Sequence, residues 1–305
     1  MQTIQKPWIK LMETIGREDY ELISGLEKAC MQADGIALKL ELDYKLCLQG
    51  AAGPYAAQRD INELMYFDGD MLIGYIGIGS FGPQPEVNGM VHPDYRGQGV
   101  FTALHRLMLA ELNRRGVKSA LLLSDGKARD GLKFIEKTGA IRHHSEYEMF
   151  LRNEGTGKGK AVPGVTFRKA VNSDAAEIAR QNAIYFGEEL GADEDAPQTI
   201  PVLPEEEEKR GMTMYLAYVD GQAFGKVNVQ LGGGAGGIYG LGVMPEYRGR
   251  GLGRTLLLFG VERLREMGAG EVFLQVATQN ANALHIYESC GFEVTSTMEY
   301  FELAL

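Results

Sequence analysis

Val243-Met-Pro-Glu-Tyr-Arg-Gly-Arg-Gly-Leu-Gly-Arg-Thr255 is the stretch that organises the chain, and a relative of it, Val91-His-Pro-Asp-Tyr-Arg-Gly-Gln-Gly99, stands 152 residues earlier. The same offset, without a gap, carries Asp68-Gly69 onto Asp220-Gly221, Gly116 onto Gly268, Glu136 onto Glu288 and Gly139 onto Gly291. A single offset held over that span makes the chain two copies of one domain. Its 305 residues suit two domains of about 150 each. The copies are expected at 1–152 and 165–305, joined by Asn153-Glu-Gly-Thr-Gly-Lys-Gly-Lys-Ala-Val-Pro-Gly164. That joint is rich in Gly and Lys and has no apolar periodicity, the composition of a linker.

The second copy has the clearer pattern. Val165 to Ala170 is a short strand, and Asn172-Ser173-Asp174 supplies N-cap candidates for a helix running to about Phe186. Strands follow at Thr213–Val219 and Ala223–Leu231, joined by the tight-turn dipeptide Asp220-Gly221, and then at Ile238–Val243. Arg254 to Met267 is expected as a helix closed by Gly268, Glu271 to Ala277 as a strand, Ala281 to Cys290 as a helix and Glu293 to Leu303 as closing strand. The first copy follows suit from Asp68, with a strand at Glu86–Val91, helices at Thr102–Arg115 and near Asp130–Lys137, and a strand at Ala120–Ser124; residues 1–60 match less well and read as helix-rich. This order implies an α/β (α+β) fold, with a mixed, mostly antiparallel sheet flanked by helices in each copy.

Bulk composition narrows the function. A net charge of −10 argues against nucleic-acid binding, which relies on clustered Lys and Arg. Cys30, Cys47 and Cys290 have neither CxxC spacing nor an even count, so neither a disulfide framework nor a zinc site is expected, and a reducing cytoplasm fits. The first residues have no signal-peptide core, and no apolar run approaches the roughly 18 residues of a membrane span. His143-His144 with Glu146 does not complete a metal ligand set, because neighbouring residues of a strand point to opposite faces.

The opening stretch reads as a strand end, a turn with alternate glycines and a helix start. Such a turn leaves backbone N–H groups open to a ligand, and the helix start adds unpaired donors and a positive dipole end. It suits a diphosphate, with Arg248, Arg250 and Arg254 adding positive charge; a turn that merely begins a helix is the alternative on the glycines alone. Gly77-Ile-Gly-Ser-Phe-Gly82 and Gly232-Gly-Gly-Ala-Gly-Gly237 also fit a G-x-G-x-x-G spacing, but neither leads into a helix, which a dinucleotide fingerprint requires.

At these residues the chain resembles the GCN5-related N-acetyltransferase family, including its tandem members. Arg248-Gly-Arg-Gly-Leu-Gly253 is similar to the family's Q/R-x-x-G-x-G/A loop, and Asn280-Ala-Asn-Ala-Leu-His-Ile-Tyr-Glu-Ser-Cys-Gly-Phe292 to its N-x-x-A-x-x-x-Y-x-x-x-G-F motif. The resemblance covers about 165–305 well and 66–151 more faintly. It implies acetyl-CoA as acyl donor, without a metal, and an amine on a small molecule or peptide as acceptor. Leu241, Gly242 and Val243 would pair with the pantetheine arm, and Arg248, Gly249, Arg250, Gly251, Leu252, Gly253 and Arg254 would surround the pyrophosphate. Asn280 would hydrogen-bond the pantetheine or thioester region, and Tyr287 would protonate the leaving thiolate. A tyrosine pKa of about 10 lies above a thiol's, about 8.5, so a neutral Tyr can donate there. Packing of the last helix on the sheet is the structural alternative for Tyr287. No carboxylate lies in Gly236–Val243, so the base stays open among Glu188, Glu189 and Tyr239.

The first copy departs at the same positions. Phe101 replaces the last Gly/Ala of the loop, where it is expected to crowd the phosphate, Ala128 replaces Asn280 and Ile135 replaces Tyr287. This half therefore reads as structural or substrate-shaping. The acidic stretches Glu188–Asp195 and Glu205–Glu208 read as solvated loop, with a cationic acceptor as the sharper alternative. Two classes of function remain at this level: an acyl-CoA-dependent N-acyltransferase, and an acyl-CoA-binding module that senses without turnover.

Overall fold

A computed structural model describes residues 2–47, 60–79, 84–153, 162–186 and 202–305. The chain forms two compact units, one of Met1–Glu146 with Ser296–Leu305 and the other of Tyr147–Thr295. The first contains β1 (Pro7–Met12), α1 (Arg17–Asp34), α2 (Leu42–Cys47), β2 (Glu63–Asp68), β3 (Met71–Gly79), β4 (Glu86–Val91), α3 (Val100–Arg114), β5 (Ser119–Asp125), α4 (Arg129–Thr138) and the start of β6 (Ile141–Leu151). The second holds the rest of β6, then β7 (Val165–Lys169), α5 (Ala175–Phe186), α6 (Pro204–Lys209), β8 (Met212–Val219), β9 (Gln222–Gly232), β10 (Ala235–Val243), α7 (Leu252–Glu266), β11 (Glu271–Ala277), α8 (Ala281–Ser289) and the start of β12 (Phe292–Ala304).

In the first unit β1, β2, β3 and β4 are successive antiparallel neighbours, and β4 runs parallel to β5. The far side of β5 is taken by the end of the chain: Met298–Ala304 of β12 pairs antiparallel with Ser119–Asp125. In the second unit β7, β8, β9 and β10 are successive antiparallel neighbours, and β10 runs parallel to β11. The mixed, mostly antiparallel sheet expected for each copy is present in both.

Local chemistry explains the hairpins. Between Val219 and Gln222 the chain reverses through Asp220 (φ 51°) and Gly221 (φ 76°), two successive left-handed residues that match the twist of a two-residue hairpin. On one face of the second sheet, Leu256 and Leu264 of α7 pack with Val227, Val229, Val272 and Leu274. The first unit repeats this with Leu104 and Met108 of α3 against Leu64, Ile76 and Leu122.

Some expectations shift. Residues 7–12 form a strand rather than helix; its side chains are largely exposed, Trp8 and Leu11 both at 46%, so no burial alternation announces it. Residues 147–152 fall in the second unit and 296–305 in the first, whereas the repeat offset alone put the boundary at 152. Strand β10 begins at Ala235 because Gly233 and Gly234 turn the chain and Ala235-Gly236-Gly237 pair back on Gly232-Leu231-Gln230. Glu205–Glu208 is not loop. Pro204 opens α6 and Glu205, Glu206 and Glu207 occupy its first turn, where the helix dipole favours carboxylates.

Tyr300 of β12 is 1% exposed in the first unit, and its hydroxyl donates to Glu146 Oε2 at 2.5 Å. Tyr300→Ala is expected to cost about 3–5 kcal/mol, read by scanning calorimetry as a lower transition for the first unit. An unchanged transition would mean that the C-terminal strand is dispensable to it.

Candidate functional site

In the second unit the parallel pairing of β10 with β11 stops at Ile238 opposite Leu274, although β10 continues to Val243 and β11 to Ala277. Beyond that point the β10 backbone groups facing β11 have no ladder partner, so an extended ligand can take their place as a strand would. Leu241, Gly242 and Val243 lie on this segment.

The loop that follows exposes its backbone. A 3₁₀ turn at Pro245–Tyr247 leads to Arg248, and Gly249 (φ 74°) and Gly251 (φ 78°) hold left-handed conformations that side chains rarely adopt. A Cβ at Gly249 would meet nothing within 4 Å, so its backbone faces open space. Gly251 is the N-cap of α7 and has no side chain to cap it, so the first turn of the helix has no side-chain acceptor from its N-cap residue. Nitrogen donors on consecutive peptides at a positive helix end fit a diphosphate.

The arginines around the loop do different things. Arg248 Nε donates to the Val243 carbonyl at 3.0 Å and so braces the strand end, and its head group has no carboxylate partner among the described residues. Arg250 stacks over the Tyr247 ring at 5.7 Å, and Arg254 donates to Ser289 Oγ at 2.9 Å. A Cβ at Gly253 would lie 3.5 Å from Ile286 and 3.7 Å from Val243. The end of β10, the start of α7 and helix α8 thus converge.

Asn280 is the N-cap of α8, and its Oδ1 accepts from the Ala283 N–H at 3.1 Å. A carboxamide whose oxygen caps a helix keeps its NH2 group as a donor. Tyr287 is 8% exposed within the core cluster, its ring tilted toward Phe292 at 6.3 Å, and burial pushes its pKa up to about 12. Of the three candidates for a base, Glu188 and Glu189 lie outside the described residues. Tyr239 is half-buried on β10 with its ring edge-on to Phe273 at 6.2 Å.

Side chains that the sequence reading passed over crowd the other face of β9 and β10. Tyr185 of α5 packs against Gly242, where any Cβ would strike its ring, and its hydroxyl donates to Gln181 Oε1 at 3.0 Å. Lys226 and Asn228 are 2% and 8% exposed, two buried polar residues at alternate positions of a strand whose other polar residues, Gln222 and Gln230, are not buried.

The first unit has the same backbone and different chemistry. Gly97 (φ 74°) and Gly99 (φ 83°) repeat the loop, and Arg96 Nε donates to the Val91 carbonyl at 3.1 Å, as Arg248 does to Val243. Both Arg96 head-group nitrogens, however, bind the Asp34 carboxylate, at 2.8 and 2.6 Å. Helix α4 begins at Ala128 without a side-chain cap, and Ile135 is buried. A cleft of about 1140 Å³ lies beside β4, lined by Asn88, Met90, Arg96, Phe101, Leu122 and Ile135 among others. Phe101 turns inward, with its ring edge-on to Phe134 at 4.7 Å and beside Gly89, so it narrows this cleft at β4. His143 and His144 are not separated by the strand as expected: their Nδ1 atoms are 2.7 Å apart, and His144 stacks on Tyr300 at 4.1 Å.

A splayed parallel pair with a glycine-rich loop at its mouth is the arrangement against which the comparisons are set. The comparisons with known proteins agree on the class. The sequence model of the Acetyltransferase (GNAT) family matches residues 178–292. The mycothiol acetyltransferase of Thermobispora bispora is 30% identical over 93% of this chain and 95% of its own, and that of Streptomyces avermitilis 29% over 78% of each. Among solved structures, a GCN5-related N-acetyltransferase from Sphaerobacter thermophilus aligns with a TM-score of 0.67 at 20% identity, over 96% of this chain and 95% of that one. A tandem GNAT protein from the clavulanic acid biosynthesis pathway aligns at 0.69 and 16% identity, over 97% and 98%. The chain belongs to the GNAT acetyltransferase family and is an N-acetyltransferase. No described helix is long and apolar enough to cross a membrane.

Replacing Gly251 with Trp forces a side chain into a left-handed position at the N-cap of α7. Calorimetry is expected to find one acetyl-CoA per wild-type chain and at least about tenfold weaker binding in Gly251→Trp. Two molecules per chain, or undiminished binding, would give the first unit a working site.

Proposed function

We propose that the chain transfers acetyl from acetyl-CoA to the amine of a small molecule, by direct attack, in its second unit. The observation that carries this reading is the convergence of the end of β10 beyond its pairing with β11, the loop opening α7 and the motif-bearing helix α8. Leu241, Gly242 and Val243 offer backbone groups to the pantetheine arm. Arg248, Gly249, Arg250, Gly251, Leu252, Gly253 and Arg254 surround the pyrophosphate, and Asn280 donates from its amino group to the pantetheine or thioester region.

Transfer needs a proton for the departing thiolate, and Tyr287 fills that role. Its pKa near 12 keeps it protonated at neutral pH, so it acts as donor and not as base. A strand N–H polarises the thioester carbonyl as negative charge develops on its oxygen. The first unit lacks the counterparts of Tyr287 and Asn280, and its loop arginine is held by Asp34, which supports a structural or substrate-shaping role for that half. The relatives' name directs the choice of acceptor toward a mycothiol-related small molecule. Three cysteines free of disulfides favour the cytoplasm as its place of work.

Tyr287→Phe is expected to lower kcat by about 10²-fold while the acetyl-CoA Kd changes by less than about threefold. The assay follows CoA release with a panel of small-molecule amines. Because the folded pKa is raised, the wild type should show no loss from Tyr287 below about pH 11. An unchanged kcat would remove the tyrosine from the mechanism.

A further inference from the structure

Between Tyr239 and Gly242 the pairing of β10 with β9 slips. Tyr239 lies opposite Asn228 and Gly242 opposite Lys226, so three steps on β10 face two on β9. This is a β-bulge, and the peptide groups of the extra residue leave the ladder. Gly240 enters the left-handed region at φ 52°. Its displaced carbonyl is taken by Lys226, whose Nζ donates to it at 3.0 Å. The fit is close, since a Cβ at Gly240 would lie 2.9 Å from Lys226 Nζ and 2.8 Å from Asn228 Nδ2.

The lysine is an odd choice for stability. It is 2% exposed and has no carboxylate partner among the described residues, and burying an ammonium in that way is costly. The titratable side chains on the elements packed against this face are Tyr218 on β8, Tyr239 on β10, and Glu177, Arg180 and Tyr185 on α5. None of them displaces Lys226: burial alone lowers its pKa, to about 8. The first unit supplies the contrast. There the β3–β4 ladder runs without a shift from Gly74 opposite Val91 to Gly79 opposite Glu86, and β3 contains no lysine. Bulge and lysine occur together in the unit with intact motifs and are absent together from the corresponding β3–β4 ladder of the other.

A trans peptide points its C=O and the next N–H in opposite directions. Fixing the Gly240 oxygen toward Lys226 therefore fixes the Leu241 N–H away from it. We propose that Lys226 is a positioning residue for acyl transfer: by holding the Gly240 carbonyl it aims the Leu241 N–H at the thioester carbonyl oxygen. This rests on the reading of β10 as the strand that receives the thioester.

The test joins kinetics to a spectroscopic probe of the peptide itself. Lys226→Met keeps the volume and removes the charge, so the variant is expected to fold, which its thermal transition checks. It should lose about tenfold in kcat, with KM for acetyl-CoA within about threefold, and Lys226→Arg should recover most of the loss. Isotopic labelling of glycine carbonyls and leucine amides isolates the Gly–Leu peptide groups for NMR. In the wild type the Leu241 amide should titrate with a midpoint near pH 8, and in Lys226→Met it should not. A Lys226→Met enzyme with wild-type kcat, or a wild-type Leu241 amide that does not titrate, overturns the inference. A wild type that releases no CoA with any amine overturns the proposed function instead, and the amide titration still decides the link between Lys226 and the bulge.

Discussion

Backbone polar groups inside a protein must be paired, and in the second unit β10 continues to Val243 without β11 beside it once the two part after Ile238 and Leu274. The rest of the site follows from that omission. A parallel pair is joined by a crossover helix, here α7, which packs on the sheet through Leu256 and Leu264 and starts just beyond the open end of β10. Its N-terminus therefore lies next to the end of β10 that β11 has left. The two features suit a ligand that is extended and amide-bearing along one part and anionic at the other. Placing the glycine loop elsewhere on the fold would separate them.

The first unit shows how little must change to alter such a site. Its parallel pairing also ends early, after Val87 opposite Leu122, and its loop has nearly the same backbone. What differs is side chains. Asp34 at the end of α1 neutralises Arg96, Phe101 turns into the cleft, Ile135 and Ala128 stand at the tyrosine and asparagine positions, and the bulge is missing from the β3–β4 ladder. The loop backbone is retained because it begins a helix that the core needs: Val100, Leu104 and Met108 of α3 are all buried. Chemistry at the loop mouth can be lost at small cost to stability, whereas the glycine conformations cannot.

Much of this was legible in the sequence, for identifiable reasons. The repeat offset located both loops, and Asp220-Gly221 located a hairpin, because left-handed backbone positions demand glycine or its near equivalents. Cap residues, Asn172-Ser173-Asp174 at one helix and Gly268 at another, marked helix ends, and the ends of α7 and α8 fell within a few residues of expectation. Strand β1 escaped because an edge strand with exposed Trp8 and Leu11 has no burial period. The return of Met298–Ala304 to β5 escaped because pairing between distant segments leaves no local mark on either. Glu205–Glu208 looked like solvated loop because a charge run has no apolar face, while Pro204 at its head was the overlooked helix signal.

The harder residues to read were Lys226 and Asn228. A lysine in a strand is ordinarily an exposed one, and nothing in Gln222–Gly232 says which face the residue takes. Two facts decide it, both tertiary: the register that sets Leu216 and Gly242 beside Lys226, and α5 covering that face through Tyr185. Sequence gives the bulge no better signal, since Tyr239-Gly-Leu-Gly-Val243 offers two glycines and only the pairing shows which one turns left-handed. Gly240 can take that conformation and leave room for the Nζ that holds its carbonyl, and Gly242 leaves room for Tyr185. Each glycine is thus explained by a different neighbour, and the family motif, which begins after Val243, names neither.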